Sequence, residues 1–142
     1  MLVRLLYASR AADAVTAEGV DAIVGRCRSH NPPMGITGVL CHGGGIFLQV
    51  LEGGRDTVNA LYARIACDAR HHDPTLLYFE EIIERRFAGW TMGQVNLARI
   101  SPSILLKYSE RPVFDPFALS GQVSMALLEE LIATASIVGR CS

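Results

Sequence analysis

Two polar side chains stand inside runs that are otherwise apolar: Gln49 in Phe47-Leu48-Gln49-Val50-Leu51, and Tyr7 in Leu5-Leu6-Tyr7-Ala8. A strand buried on both faces is ordinarily apolar throughout. A glutamine amide there needs partners for two N–H donors and a carbonyl, so Gln49 reads as a polar group held for a purpose. The alternatives are a Gln49 on a solvated sheet face and a core Tyr7 whose hydroxyl simply finds a partner. Asn31, just before Pro32-Pro33, suits either a helix C-terminus or an amide fixing the edge of a ligand. Arg70 and His71 follow a helical segment, where basic groups suit the helix dipole or meet a phosphate. Trp90 and Met92 lie two residues apart in a short apolar run. Strand alternation would turn both to one side, where each could also be core filling. Glu84-Arg85-Arg86 reads as a solvated charge cluster.

Most enzyme signatures are missing. There is no Ser-His-Asp order, no H-E-x-x-H, and no pairing of acids suited to proton transfer. The glycines at 43–45 and 53–54 are too short and wrongly placed for a phosphate loop or a dinucleotide fingerprint. Cys27, Cys41, Cys67 and Cys141 form no C-x-x-C pair, which argues against zinc and for free thiols in a reducing compartment. Thirteen basic against fourteen acidic residues give a net charge of −1, so no basic footprint for nucleic acid exists. No apolar stretch nears the roughly 20 residues that cross a bilayer, and the start lacks a signal-peptide core, so the expected address is the cytoplasm.

The elements that must position these residues follow from periodicity. Half of the 142 residues are hydrophobic, enough for one packed core. Residues 2–8 read as a strand, and Thr16 as the cap of a helix whose apolar face carries Val20, Ile23, Val24 and Cys27. The prolines at 32 and 33 end that helix. Residues 36–41 and 46–51 form a hairpin across a Gly-rich turn, and Val58, Leu61, Tyr62 and Ile65 mark a second helix. Residues 70–74 link it to a strand at 76–83, and a fifth strand spans 91–95. Ser101-Pro102 opens one further helix, and another is expected over 122–138. The order is β-α-β-β-α-β-β, then two helices. Right-handed crossovers place the first two helices on one face of a mixed, ferredoxin-like α+β sheet, with the C-terminal pair covering the other. The groove between the first two helices suits a flat, mostly apolar ligand.

Taken together the residues resemble the BLUF family, the blue-light sensors using flavin. The resemblance rests on Leu5-Leu6-Tyr7-Ala8-Ser9, Asn31 with Gly35-Ile36-Thr37-Gly38, and Phe47-Leu48-Gln49-Val50-Leu51-Glu52-Gly53. Asp68-Ala69-Arg70-His71 and Arg86-Phe87-Ala88-Gly89-Trp90-Thr91-Met92 complete it. It covers residues 1–95, leaving 96–142 as a helical cap. It implies a non-covalent flavin, usually FAD, with FMN or riboflavin as the other forms. Ile23 and Ile65 would sandwich the ring, Gln49 would bridge Tyr7 and the ring edge, and Asn31 would hold the pyrimidine side. Ser9, Arg70 and His71 would complete the cofactor contacts. Tyr7, Gln49, Trp90 and Met92 would be the photoactive set, with Trp90-in and Met92-in registers as two states. Where many members carry a second polar residue, Pro32 offers only a carbonyl, so one flavin contact would be lost or passed to water. No output domain is expected within the 142 residues, so the signal would leave through a homo-oligomer or a separate downstream protein, with no membrane or nucleic acid involved. The rival readings are a flavin enzyme and a cofactor-free ferredoxin-like interaction module.

Overall fold

Val3, Leu5, Leu6 and Ala8 are at most 1% exposed, as are Leu48, Val50 and Leu51. Side chains alternate along a strand, so burial of neighbours on both sides means that both faces of the sheet are covered. The computed structural model describes residues 1–12, 17–134 and 138–140. It contains β1 (Leu2–Ala11), α1 (Ala17–His30), a 3-10 turn (Pro32–Met34), β2 (Thr37–Gly43), β3 (Ile46–Gly54) and α2 (Arg55–Ala66). These are followed by β4 (His71–Ile82), β5 (Trp90–Asn96), a second 3-10 turn (Leu97–Arg99), α3 (Pro102–Tyr108), α4 (Gly121–Thr134) and β6 (Val138–Arg140).

The sheet order is β4-β1-β3-β2-β5-β6. β1 runs antiparallel to β3 and β4, β2 antiparallel to β3, and β2 parallel to β5. The first four strands thus adopt the ferredoxin-like arrangement. Gly44 and Gly45, with φ of 59° and 76°, close the β2–β3 hairpin, a pair of left-handed positions that glycine takes without a Cβ clash.

Two apolar layers result. Under α1 and α2 lie Val3, Leu5, Tyr7, Leu40, Leu51 and Met92, joined by Val20 and Val58 of the helices. On the opposite face Leu6, Ala8, Val39, Val50 and Trp90 meet Met125, Leu127, Leu128 and Leu131 of α4, with Ile104 of α3 packed alongside. Gly121 starts α4 directly on β4: a Cβ there would fall 1.9 Å from the Leu77 carbonyl oxygen. Ser101 caps α3 by accepting from the Ile104 N–H, with Pro102 at the first turn, as the sequence predicts.

Four expectations change. β4 begins at His71, so residues 71–74 are strand rather than linker. The ladder steps from Arg10–His72 to Ala8–Thr75, which leaves Asp73 and Pro74 in a bulge with Asp73 at φ 53°. β4 is an edge strand, where a proline costs no essential ladder bond. Val138, expected at the end of the last helix, lies in β6, which pairs with β5; α4 stops at Thr134. The unpaired side of β5 offers backbone groups that a short strand satisfies. Trp90 and Met92 face opposite layers rather than one, because the β5–β6 register is irregular between Trp90 and Gln94 and regular alternation fails there. Within the run 84–86, Arg85 turns inward and donates to the Thr37 hydroxyl at 3.0 Å and the Glu52 carbonyl at 3.3 Å. Thr16, Cys141 and the Pro32 side chain lie outside the described residues.

Candidate functional site

A cavity of about 510 Å³ opens between α1 and α2 above the sheet. That size suits a drug-sized or cofactor-sized ligand. Tyr7 and Gln49 form its floor. They are direct cross-strand partners on β1 and β3, which brings side chains 42 residues apart in sequence into contact. The Tyr7 hydroxyl donates to Gln49 Oε1 at 2.6 Å, and Gln49 Nε2 donates to Met92 Sδ at 3.4 Å. All three side chains are buried. Burial, helped by the neighbouring Cys27, Tyr62 and Asp68, holds the Tyr7 phenol well above its ordinary pKa, so it is a neutral donor at any physiological pH.

Asn31 is fixed by its backbone. Its N–H donates to the Cys27 carbonyl at 2.8 Å, and its carbonyl accepts from Met34 and Ile36 at 3.0 and 2.9 Å. Its side chain lines the cavity, and Nδ2 is buried with no partner among the described residues. A buried orphan donor costs about 1–3 kcal/mol, which a ligand acceptor at this place would recover.

Ile23 from α1 and Ile65 from α2 line opposite walls, as expected. His71 also lines the cavity; its Nε2 meets the Ile65 carbonyl and its Nδ1 lies 2.6 Å from Ser9 Oγ. A carbonyl can only accept, so in the neutral ring Nε2 carries the proton and Nδ1 accepts from Ser9. Ser9 is fully buried behind His71 and does not line the cavity, so its place is to orient the imidazole. Arg70 lines the cavity while its Nε and Nη2 engage Asp68 at 2.9 and 2.5 Å. The Arg70 guanidinium pulls the Asp68 carboxyl down to about 2.

Sequence reasoning missed several lining residues, among them Arg26, Cys27 and His30 on α1 and Leu61 and Arg64 on α2. Helical spacing from Ile23 and Ile65 points to them: 23, 26, 27 and 30 share one stripe, as do 61, 64 and 65. Phe47 and Asp68 were noticed only as parts of motifs. Burial pushes the Cys27 thiol upward, which keeps it protonated and inert. The set fits a planar, mostly apolar ring: aliphatic walls from Ile23, Leu61 and Ile65, convergent amides at Asn31 and Gln49, and guanidinium groups around the rim. Trp90 lies outside the cavity, in the layer beneath α4.

The fold and this cavity define a flavin-binding light-sensor domain. The chain belongs to the BLUF family, described as sensors of blue-light using FAD, whose family model matches residues 2–93. The photoactivated adenylate cyclase subunit beta of Euglena gracilis is 37% identical over 92 residues, which is 64% of this chain and 11% of that protein. The blue light- and temperature-regulated antirepressor BluF of Escherichia coli (strain K12) is 31% identical over 99 residues, 68% of this chain and 25% of that one. The chain therefore spans a small fraction of these curated relatives. Among solved structures, BlsA in its photo-activated state superposes with a TM-score of 0.86 at 31% identity, covering 96% of this chain and 97% of that one. The dark state of BlrB, a BLUF protein, gives 0.76 at 32% identity over 93% and 95%. No helix among the described residues is long and apolar enough to cross a membrane, and no group of potential metal ligands occurs among them.

Proposed function

We propose that this chain is a non-enzymatic blue-light photoreceptor in which residues 1–95 hold FAD and residues 96–142 form the cap through which the signal leaves. The observation that carries this reading is the buried chain Tyr7–Gln49–Met92, which runs from the cavity floor into β5. Bound flavin supplies a blue-absorbing ring that becomes a strong oxidant on excitation. Ile23 and Ile65 would hold its faces, Asn31 and Gln49 would meet its polar edge, and His71, set by Ser9, would close the site beside Arg70. Tyr7, the buried phenol on the cavity floor, would be the residue able to supply an electron and a proton to such an oxidant and to take both back when the charge recombines. Its hydroxyl already points its proton at Gln49 Oε1, so any rearrangement of the amide exchanges both the bond to Tyr7 and the bond to Met92.

Each exchanged bond is worth about 1 kcal/mol, and more in a buried network, which suffices to bias a two-state element. That element is β5. It sends Met92 into the layer under α1 and α2, against Gln49, and Trp90 to the layer beneath α4, so it touches both the switch and the cap. Arg26, Arg64 and Arg70 around the cavity favour FAD or FMN over riboflavin, because guanidinium groups bind phosphate strongly. The output goes to a second copy or a separate protein, and the free thiols of Cys27, Cys41 and Cys67 suit the cytoplasm.

The visible spectrum of the purified protein in the dark, after blue light and during recovery tests the whole reading. The expected result is a flavin spectrum that shifts slightly red and returns in darkness. A spectrum that only bleaches, or a protein that stays colourless with added flavin, overturns it.

A further inference from the structure

The side of β5 that faces α1 is held at a second point. Two residues beyond Met92, Gln94 Nε2 lies 3.2 Å from Asp21 Oδ1 of α1 and 3.1 Å from His42 Nε2 of β2. An amide NH₂ has two N–H donors, so it serves both acceptors at once, provided that the imidazole is neutral with its proton on Nδ1. We propose that Gln94 is a positioning residue: it tethers β5 to α1 and β2 and thereby keeps Met92 against the Gln49 amide. This rests on the photoreceptor reading above and assigns a residue that sets how readily β5 departs and returns.

Three elements meet at this bridge. α1 forms one wall of the cavity, β2 is the parallel partner of β5, and β5 carries the sulfur that accepts from Gln49. Without the bridge, the α1 side of β5 loses the two bonds made through Gln94. The lit arrangement, in which Gln49 has given up Met92, would then leave β5 free to move further, and return would slow.

The bridge is also conditional on protonation. Once His42 Nε2 carries a proton, two donors face each other across 3.1 Å. Turning the amide over would present its oxygen to Asp21, and the arrangement fails either way. Asp21 of α1 is the charged group acting on His42; the cross-strand partners of His42, Phe47 of β3 and Asn96 of β5, and Gln94 itself are uncharged. Burial lowers the His42 pKa, opposed by Asp21, so the bridge is intact at neutral pH and is lost as pH falls below the ordinary histidine range.

The test is dark-recovery kinetics of the flavin-loaded protein between pH 5 and 8 for wild type, Gln94→Ala and His42→Gln. These side chains lie at the partly exposed α1–β5 contact, so folding and flavin content are expected to survive. Gln94→Ala should keep the red shift but recover more slowly by about fivefold or more, because both hydrogen bonds of its amide are lost. Wild type should slow toward that rate as pH falls, whereas Gln94→Ala should lack this step. His42→Gln keeps an acceptor and should recover quickly at every pH. A shift-competent wild type whose rate and pH profile are matched by Gln94→Ala overturns the tether alone. A wild type with no light-induced shift overturns the photoreceptor reading and the tether's role with it.

Discussion

On the face beneath α1 and α2, β1, β3 and β5 present Tyr7, Gln49 and Met92, joined by two hydrogen bonds, one of them a weak contact to sulfur. On the opposite face β1 and β3 present Arg4 and Glu52 instead. Arg4 Nε and Nη2 reach Glu52 Oε2 at 2.8 and 2.7 Å, and Arg4 Nη1 reaches Glu80 at 2.5 Å. Glu52 is fully buried and also accepts from the backbone N–H groups of Arg86 and Phe87 at 3.0 and 2.6 Å. One face thus carries neutral bonds that can be exchanged at about 1 kcal/mol each, and the other a buried ion pair whose breakage costs several. The difference teaches how a strand can move without unfolding. The connection that enters β5 is clamped by Glu52 on the cap side, while the strand itself is held on the cavity side by bonds that an amide can trade.

Three substitutions break or sharpen this contrast. Tyr7→Phe should abolish the light-induced spectral shift completely while leaving flavin bound, because only the hydroxyl on the exchangeable face is removed; a normal photocycle would sink the switch. Glu52→Ala should do the reverse. Deleting the carboxylate leaves the buried Arg4 guanidinium with only the partly exposed Glu80 and strands two N–H groups, and denaturant unfolding should report a loss of about 3–5 kcal/mol. A loss within about 0.5 kcal/mol, the usual range for surface changes, would mean that the clamp is not a clamp. Asn31→Ala is the mildest. The orphan Nδ2 has nothing to lose in the empty cavity, so unfolding of flavin-free protein should be unchanged or slightly improved. Flavin affinity, by titration, should fall about 5- to 30-fold, as for one or two hydrogen bonds.

Much of this was legible in the residues. The apolar runs set β1 and β3, helical spacing set α1 and α2, and a polar amide inside a buried run pointed to Gln49 before any partner was visible. The family resemblance implied Ile23 and Ile65 on facing walls, and helical spacing from them reaches Arg26 and Arg64. β4 was legible only in part, because Pro74 reads as a breaker until the strand is known to be an edge with a bulge. β6 was not legible, since three residues carry no period of their own and form a strand only because β5 has a free side.

The sequence by itself determined which side chains could do chemistry and on which kind of element each sits, because burial patterns and periodicity are local properties. Only the tertiary structure decided who meets whom. Strand register put Tyr7 opposite Gln49 and Arg4 beside Glu52, and the pairing of β2 with β5 carried Gln94 to His42 and Asp21. An irregularity in β5 turned Trp90 to the cap and Met92 to the layer under α1 and α2, against simple alternation. Register and bulges are set by the sum of contacts between distant segments, and a one-residue slip exchanges the faces of a strand, so no local pattern could have fixed them.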